Sequence, residues 1–293
     1  MRTLTLVLML AAVLSFFFSR VQEGFRNTFA RRPGLIWATP LVLTAIFSGV
    51  ALLAGAWNGA LCLAVLVYTV APVACAAWQG VGPVTRPSAL DFATILLLWL
   101  PLEFNVGGAL VPPPVRGYLH SVAYGIAILL GLILFSGFRS FPGLKFNPPR
   151  RRADWWLPFA AFAVSTPVLM VVGIALGFIP WPHLPDRSAS AMSAAAGVIF
   201  AGTALPEEIL FRSLIQNLLM LRFGSGWRML LVASVIFGCA HLDNGPQPLP
   251  NWRYMILATI AGMAYGWVFQ RARTVFSSAA LHMLVDWTKH FFF

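Results

Sequence analysis

Apolar residues run along the chain in long blocks, near 3–19, 35–56, 60–79, 89–110, 118–137, 155–179, 191–221, 228–250, 253–270 and 275–291, separated by short polar turns. A helix needs about 20 mostly apolar residues to cross the hydrocarbon core of a bilayer. Most blocks approach that length. The pattern predicts an all-α, polytopic membrane protein with roughly eight to ten transmembrane helices. The block at 89–110 holds Pro101, Glu103 and a Gly-Gly pair and runs into Pro112-Pro113-Pro114, so a broken or re-entrant element is expected there.

Composition agrees. Hydrophobic residues make up 59% of the 293 positions and charged residues 10%, against about 25% charged in a soluble domain. The net charge of +11 would suit nucleic acid, but the basic residues lie in short loops between apolar spans and not along one polar face. In a membrane protein such charge mostly sets orientation. Alternate loops hold Arg20, Arg26, Arg31, Arg32, Arg86, Arg139, Lys145, Arg150, Arg151, Arg152, Arg222, Arg228, Arg271 and Arg273, which is 14 basic residues, while the opposite loops and ends hold 5. That asymmetry suits ten crossings with both ends outside and predicts a lipid bilayer as partner, with no nucleic acid. The 18 Arg against 2 Lys read as genome composition.

Residues 3–19, preceded by Arg2, resemble a signal peptide but lack a small-residue cleavage site, so an uncleaved first span is expected. Cys62, Cys75 and Cys239 sit in apolar stretches without metal-type spacing and read as buried, unpaired thiols. The basic loop 139–152, ending NPPRRR, divides an N-terminal region, 1–150, from a C-terminal one, 151–293. It sets topology and could touch anionic lipid heads.

The chemistry concentrates in the last hundred residues. In ALPEEILFR, Glu207 and Glu208 adjoin, and Arg212 closes the stretch. His241 lies in the next block, and His282 and Asp286 in the last. An ionisable residue at the centre of a bilayer costs at least about 2.5–3.5 kcal/mol, so it needs a partner, a wet cavity or a task. Glu208 and Arg212 are four apart and can pair on one helix face. Glu207 points about 100° away and cannot use that geometry. Pro206 suits a first helical turn, so a helix start or kink is expected there. His282 and Asp286, and Phe237 and His241, repeat the four-residue spacing. These place a carboxylate beside one imidazole and an aromatic wall beside the other. Gly262 and Gly266 form a GxxxG pair that lets helices approach closely. Taken singly, each element reads as interhelical glue. Together, a Glu, two His and an Asp form a general-base constellation.

The three motifs, Glu207-Glu208-x-x-x-Arg212, Phe237-x-x-x-His241 and His282-x-x-x-Asp286, resemble those of the CPBP family. This is the CAAX-protease and bacteriocin-processing group of intramembrane glutamic endopeptidases, also called Rce1-like or ABI. The resemblance covers about residues 190–290. It implies that Glu207 activates water with help from His241, that His282 with Asp286 binds the oxyanion, and that Glu208 pairs with Arg212 to hold the helix. It implies cleavage of a membrane-associated protein or peptide without a covalent acyl-enzyme or a cofactor, in the cell (inner) membrane of a bacterium or archaeon. The chemistry is sensible from below: a carboxylate in a low-dielectric site is a stronger base than in water. Many relatives carry Asn at the position of Asp286. An ionised Asp cannot donate to an oxyanion, so Asp286 is expected to orient His282.

Other readings remain open at this level. Glu207, His241, His282 and Asp286 could fill a zinc shell, although no HExxH is present. A serine site would need Ser225, a thiol site Cys239, and an aspartyl site Asp91 with Asp286; none has the required setting. A non-catalytic membrane scaffold or bacteriocin-immunity protein would use the same charges as glue.

Overall fold

The computed structural model describes residues 2–245 and 248–293, which form helices and connecting turns with no strand among them. They fall into two compact units, Met1–Leu144 and Lys145–Phe293. Among the described residues, five helices are long and apolar enough to cross a membrane: Pro33–Leu53, Gly59–Gln79, Pro113–Phe138, Arg152–Ala175 and Ala189–Phe223. The bent pair Arg2–Ser15 and Ser19–Arg31 adds a sixth when counted as one span. The chain is therefore a polytopic, multi-pass membrane protein. The other apolar blocks fold as helices below that length or hydropathy, which is why ten blocks yield fewer such helices.

The first unit contains α1 (Arg2–Ser15), α2 (Ser19–Arg31), α3 (Ala38–Leu53), α4 (Gly59–Gln79), α5 (Ala89–Glu103) and α6 (Arg116–Leu132), which continues as wider turns to Phe138. The sequence pattern predicts a loop over residues 20–34. Most of them instead form α2, set at 78° to α1. Its apolar face explains the difference: Phe25 stacks on Phe16 at 5.1 Å and Phe29 meets Phe138 edge-on at 5.5 Å. The 89–110 block breaks as expected, after Glu103. Asp91 caps its own helix through Ser88 and pairs with buried Arg139 at 3.0 Å.

The second unit carries the site. It comprises α7 (Arg152–Ala175), α8 (Ala189–Phe223), α9 (Trp227–Cys239), α10 (Trp252–Arg271) and α11 (Val275–Phe292). Small residues bring α9 and α10 together. A Cβ on Gly262 would stand 3.3 Å from Cα of Ser234, and one on Gly238 would stand 2.6 Å from the carbonyl oxygen of Met255. The GxxxG pair is thus a close-approach device.

Two observations correct the helix limits read from sequence. Pro206 does not begin a separate helix: α8 runs through it, with π-helical turns at Phe200–Ala204 and regular α-helical turns resuming at Leu205. A proline removes one backbone donor and crowds the carbonyl four residues earlier, and the wider turn accommodates both effects. Among the described residues of the 228–250 block, a short helix stops at Cys239, so His241 sits in the turn beyond its end. Cys239 is exposed there, and Cys62 and Cys75 are half-buried, so the three free thiols are not fully buried as expected.

Candidate active site

α8 supplies a polar ladder along one face. Glu208 and Arg212, both fully buried, pair at 3.2 Å. Arg212 donates onward to Oε1 of Gln216 at 3.4 Å, and Gln216 donates to the carbonyl oxygen of Gly266 at 3.1 Å. The guanidinium also lies 4.9 Å from the Phe237 ring centroid. The ladder needs Gly266, because a Cβ there would stand 2.4 Å from Oε1 of Gln216. A second π-helical stretch, Ile209–Gln216, covers this face. Such widened turns are frequent at functional sites.

The ladder ends on His282 of α11. Nδ1 of His282 donates to Oε1 of Glu208 at 3.1 Å. Its Nε2 stands 3.4 Å from Asp286 and 3.9 Å from Glu207. Three carboxylates therefore surround one buried imidazole. They are not equivalent: the Glu208 side chain is 0% exposed, whereas Glu207 and Asp286 are each 31% exposed. Tyr265 stacks on the His282 ring at 4.5 Å and Phe237 meets it edge-on at 5.7 Å, so the ring plane is fixed from two sides.

His241 is held separately. Its Nδ1 lies 2.8 Å from the carbonyl oxygen of Phe237. A carbonyl can only accept, so Nδ1 carries the proton and, in the neutral ring, Nε2 presents its lone pair. Phe237 and Tyr254 each lie 4.7 Å from this ring, so the expected aromatic wall is present.

A cavity of about 80 Å³, open to the surface, is lined by both imidazoles. Its polar wall includes His241, His282, Asp286, Tyr254 and Lys289, and its apolar wall includes Leu169, Met170 and Ile179. An apolar wall with a few convergent polar groups suits a ligand site. Glu207 reaches His282 from α8 but does not line the cavity wall. Among the described residues no group of three or more His, Cys, Asp or Glu is arranged to hold a metal ion. Around His282 the carboxylates engage the imidazole nitrogens themselves.

Lys289 is a residue that sequence reading passed over. One turn beyond Asp286, it sits over the rings of Tyr254 and Phe178 at 4.3 and 4.9 Å. Gln216 was missed as well, although its spacing of four from Arg212 was visible. The contact of Glu208 with His282 joins residues 74 apart and left no local signal.

A family model described as type II CAAX prenyl endopeptidase Rce1-like matches residues 189–288. Residues 189–288 are an Rce1-like domain. The match runs from the start of α8 almost to the end of α11 and contains all seven motif residues. It is consistent with the CPBP family and implies a protease, a hydrolase acting in the membrane. No curated protein and no solved structure gives a significant match. The cavity wall contributed by α7 lies outside the Rce1-like interval.

Proposed function

We propose that the Rce1-like domain is a glutamate- and histidine-dependent intramembrane endopeptidase that cleaves a membrane-associated protein or peptide with water as nucleophile. One observation carries this reading: two partly exposed carboxylates, Glu207 and Asp286, converge on a buried imidazole whose other nitrogen is tied to a buried carboxylate. Glue would need only the buried pair.

In this mechanism Glu207 takes a proton from water, and His241 accepts a hydrogen bond from the same water at Nε2. The hydroxide adds to the scissile carbonyl carbon. Negative charge develops on the carbonyl oxygen, where Nε2–H of His282 donates to it, held in plane by Glu208, Asp286 and Tyr265. Collapse breaks the C–N bond, and the proton on Glu207 passes to the leaving amine. The products are one carboxylate and one amine, with no covalent enzyme intermediate and no cofactor. Asp286 orients His282, as its 3.4 Å approach supports. The apolar wall formed by Leu169, Met170 and Ile179 suits an apolar segment of the substrate.

The test is cleavage of a membrane-peptide library by the detergent-solubilised chain and by Glu207→Gln, with and without a chelator. Cleavage by the wild type alone, unaffected by chelation, supports the reading. Cleavage abolished by chelation, or retained in Glu207→Gln, overturns it.

A further inference from the structure

The N-terminal end of α7 and the turn between α10 and α11 are tied by one buried carboxylate. Asp154, 3% exposed, accepts from the backbone nitrogens of Arg150 at 3.1 Å, Arg151 at 3.0 Å and Arg273 at 2.9 Å. Arginines from two distant parts of the sequence thus leave the backbone around a single point. Arg152 adjoins Arg151, and Arg271 lies two residues before Arg273. All five are exposed, and no salt bridge neutralises any of them among the described residues. Asp154, the acidic group at their centre, spends both oxygens on backbone amides.

The level of this cluster relative to a bilayer is marked independently. Trp155, Trp156 and Phe159, on the first turns of α7, are 64%, 57% and 62% exposed. Arg271 stacks over the partly exposed ring of Trp267 at 4.0 Å. Exposed Trp beside Arg at the end of an apolar helix is the signature of the headgroup layer, where the ring meets the acyl boundary and the cation meets phosphate.

We propose that Arg150, Arg151 and Arg273, with Arg152 and Arg271 beside them, form a binding site for the headgroup of an anionic phospholipid. The geometry favours a lipid over free phosphate, because the aromatic residues that would pack against acyl chains adjoin the arginines on the same helix ends. The bound headgroup would bridge the start of α7 to the start of α11, the helix that carries His282 and Asp286. Occupancy would therefore hold the ends of two helices that line the catalytic cavity.

The experiment uses the full chain in nanodiscs of mixed phosphatidylglycerol and phosphatidylcholine, with bound lipid counted by native mass spectrometry and melting measured in detergent with either lipid added. The expected result is about a tenfold preference for phosphatidylglycerol and a melting temperature raised by that lipid but not by phosphatidylcholine or inorganic phosphate. Arg150→Gln/Arg151→Gln/Arg273→Gln, which keeps the three amide bonds to Asp154, should lose both effects. Arg20→Gln/Arg31→Gln/Arg32→Gln, which removes the same charge from exposed positions in the first unit, should keep both. Equal retention of the two lipids by the wild type overturns the site without recourse to any variant. Equal loss in both triple variants reduces it to diffuse charge attraction and also overturns it. A shift produced by inorganic phosphate alone overturns the lipid site and reassigns the cluster to a free anion.

Discussion

Nδ1 of His282 lies 3.1 Å from Oε1 of Glu208. The same carboxylate holds Arg212 through its other oxygen, at 3.2 Å. Glu208 is thus the hinge between a structural ion pair and the proposed oxyanion donor. With Glu207, Glu208 and Asp286 ionised, the positive charges of Arg212, Lys289 and a doubly protonated His282 would balance the site. Such balance matters where water does not screen charge.

A double-mutant cycle measures the hinge. Glu208→Gln, His282→Gln and the double variant should show a coupling of about 0.5–3 kcal/mol in melting or denaturant unfolding. Glu208→Gln alone should cost about 3–5 kcal/mol, because it strands a buried guanidinium. Additive losses would mean that the 3.1 Å contact contributes nothing.

Gly266→Ala should destabilise by about 1–3 kcal/mol through overpacking. The new Cβ would meet both Oε1 of Gln216 and Cδ1 of Leu230 at 2.4 Å. Gly49→Ala, where nothing lies within 4 Å, is the matched control and should be neutral or mildly stabilising in its helix. Equal effects at the two positions would contradict the close approach of α10 to α8 and α9.

Asp154→Ala removes the acceptor for three backbone amides, and each hydrogen bond lost costs about 0.5–1.5 kcal/mol. Hydrogen exchange should rise first at Arg150, Arg151 and Arg273. The same measurement on Asp186→Ala, in the loop between α7 and α8, should leave those amides unchanged.

Much of this arrangement was legible in the sequence because it is local. The four-residue spacings of Glu208 with Arg212, of Phe237 with His241 and of His282 with Asp286 survive as contacts at 3.2, 4.7 and 3.4 Å. What failed was non-local or a matter of backbone detail. The widening at Phe200–Ala204 that carries α8 through Pro206 has no residue signature of its own. The end of α9 at Cys239 is set by the turn beyond it: His241 returns to the carbonyl of Phe237 and takes the place of a further helical turn. The second role of Glu208 and the place of Lys289 over Tyr254 arise only when separate helices pack.

The most direct measurement compares Glu207→Gln with Glu208→Gln in purified, detergent-solubilised protein, reading melting temperature and peptide cleavage together. Loss of a positioned general base typically costs about 10²–10⁴-fold in rate. The expected result is that Glu207→Gln melts like the wild type and loses cleavage by at least the lower of those factors, while Glu208→Gln melts markedly lower. Cleavage that persists in a well-folded Glu207→Gln would contradict the proposed base and leave the charges of ALPEEILFR with a structural role alone.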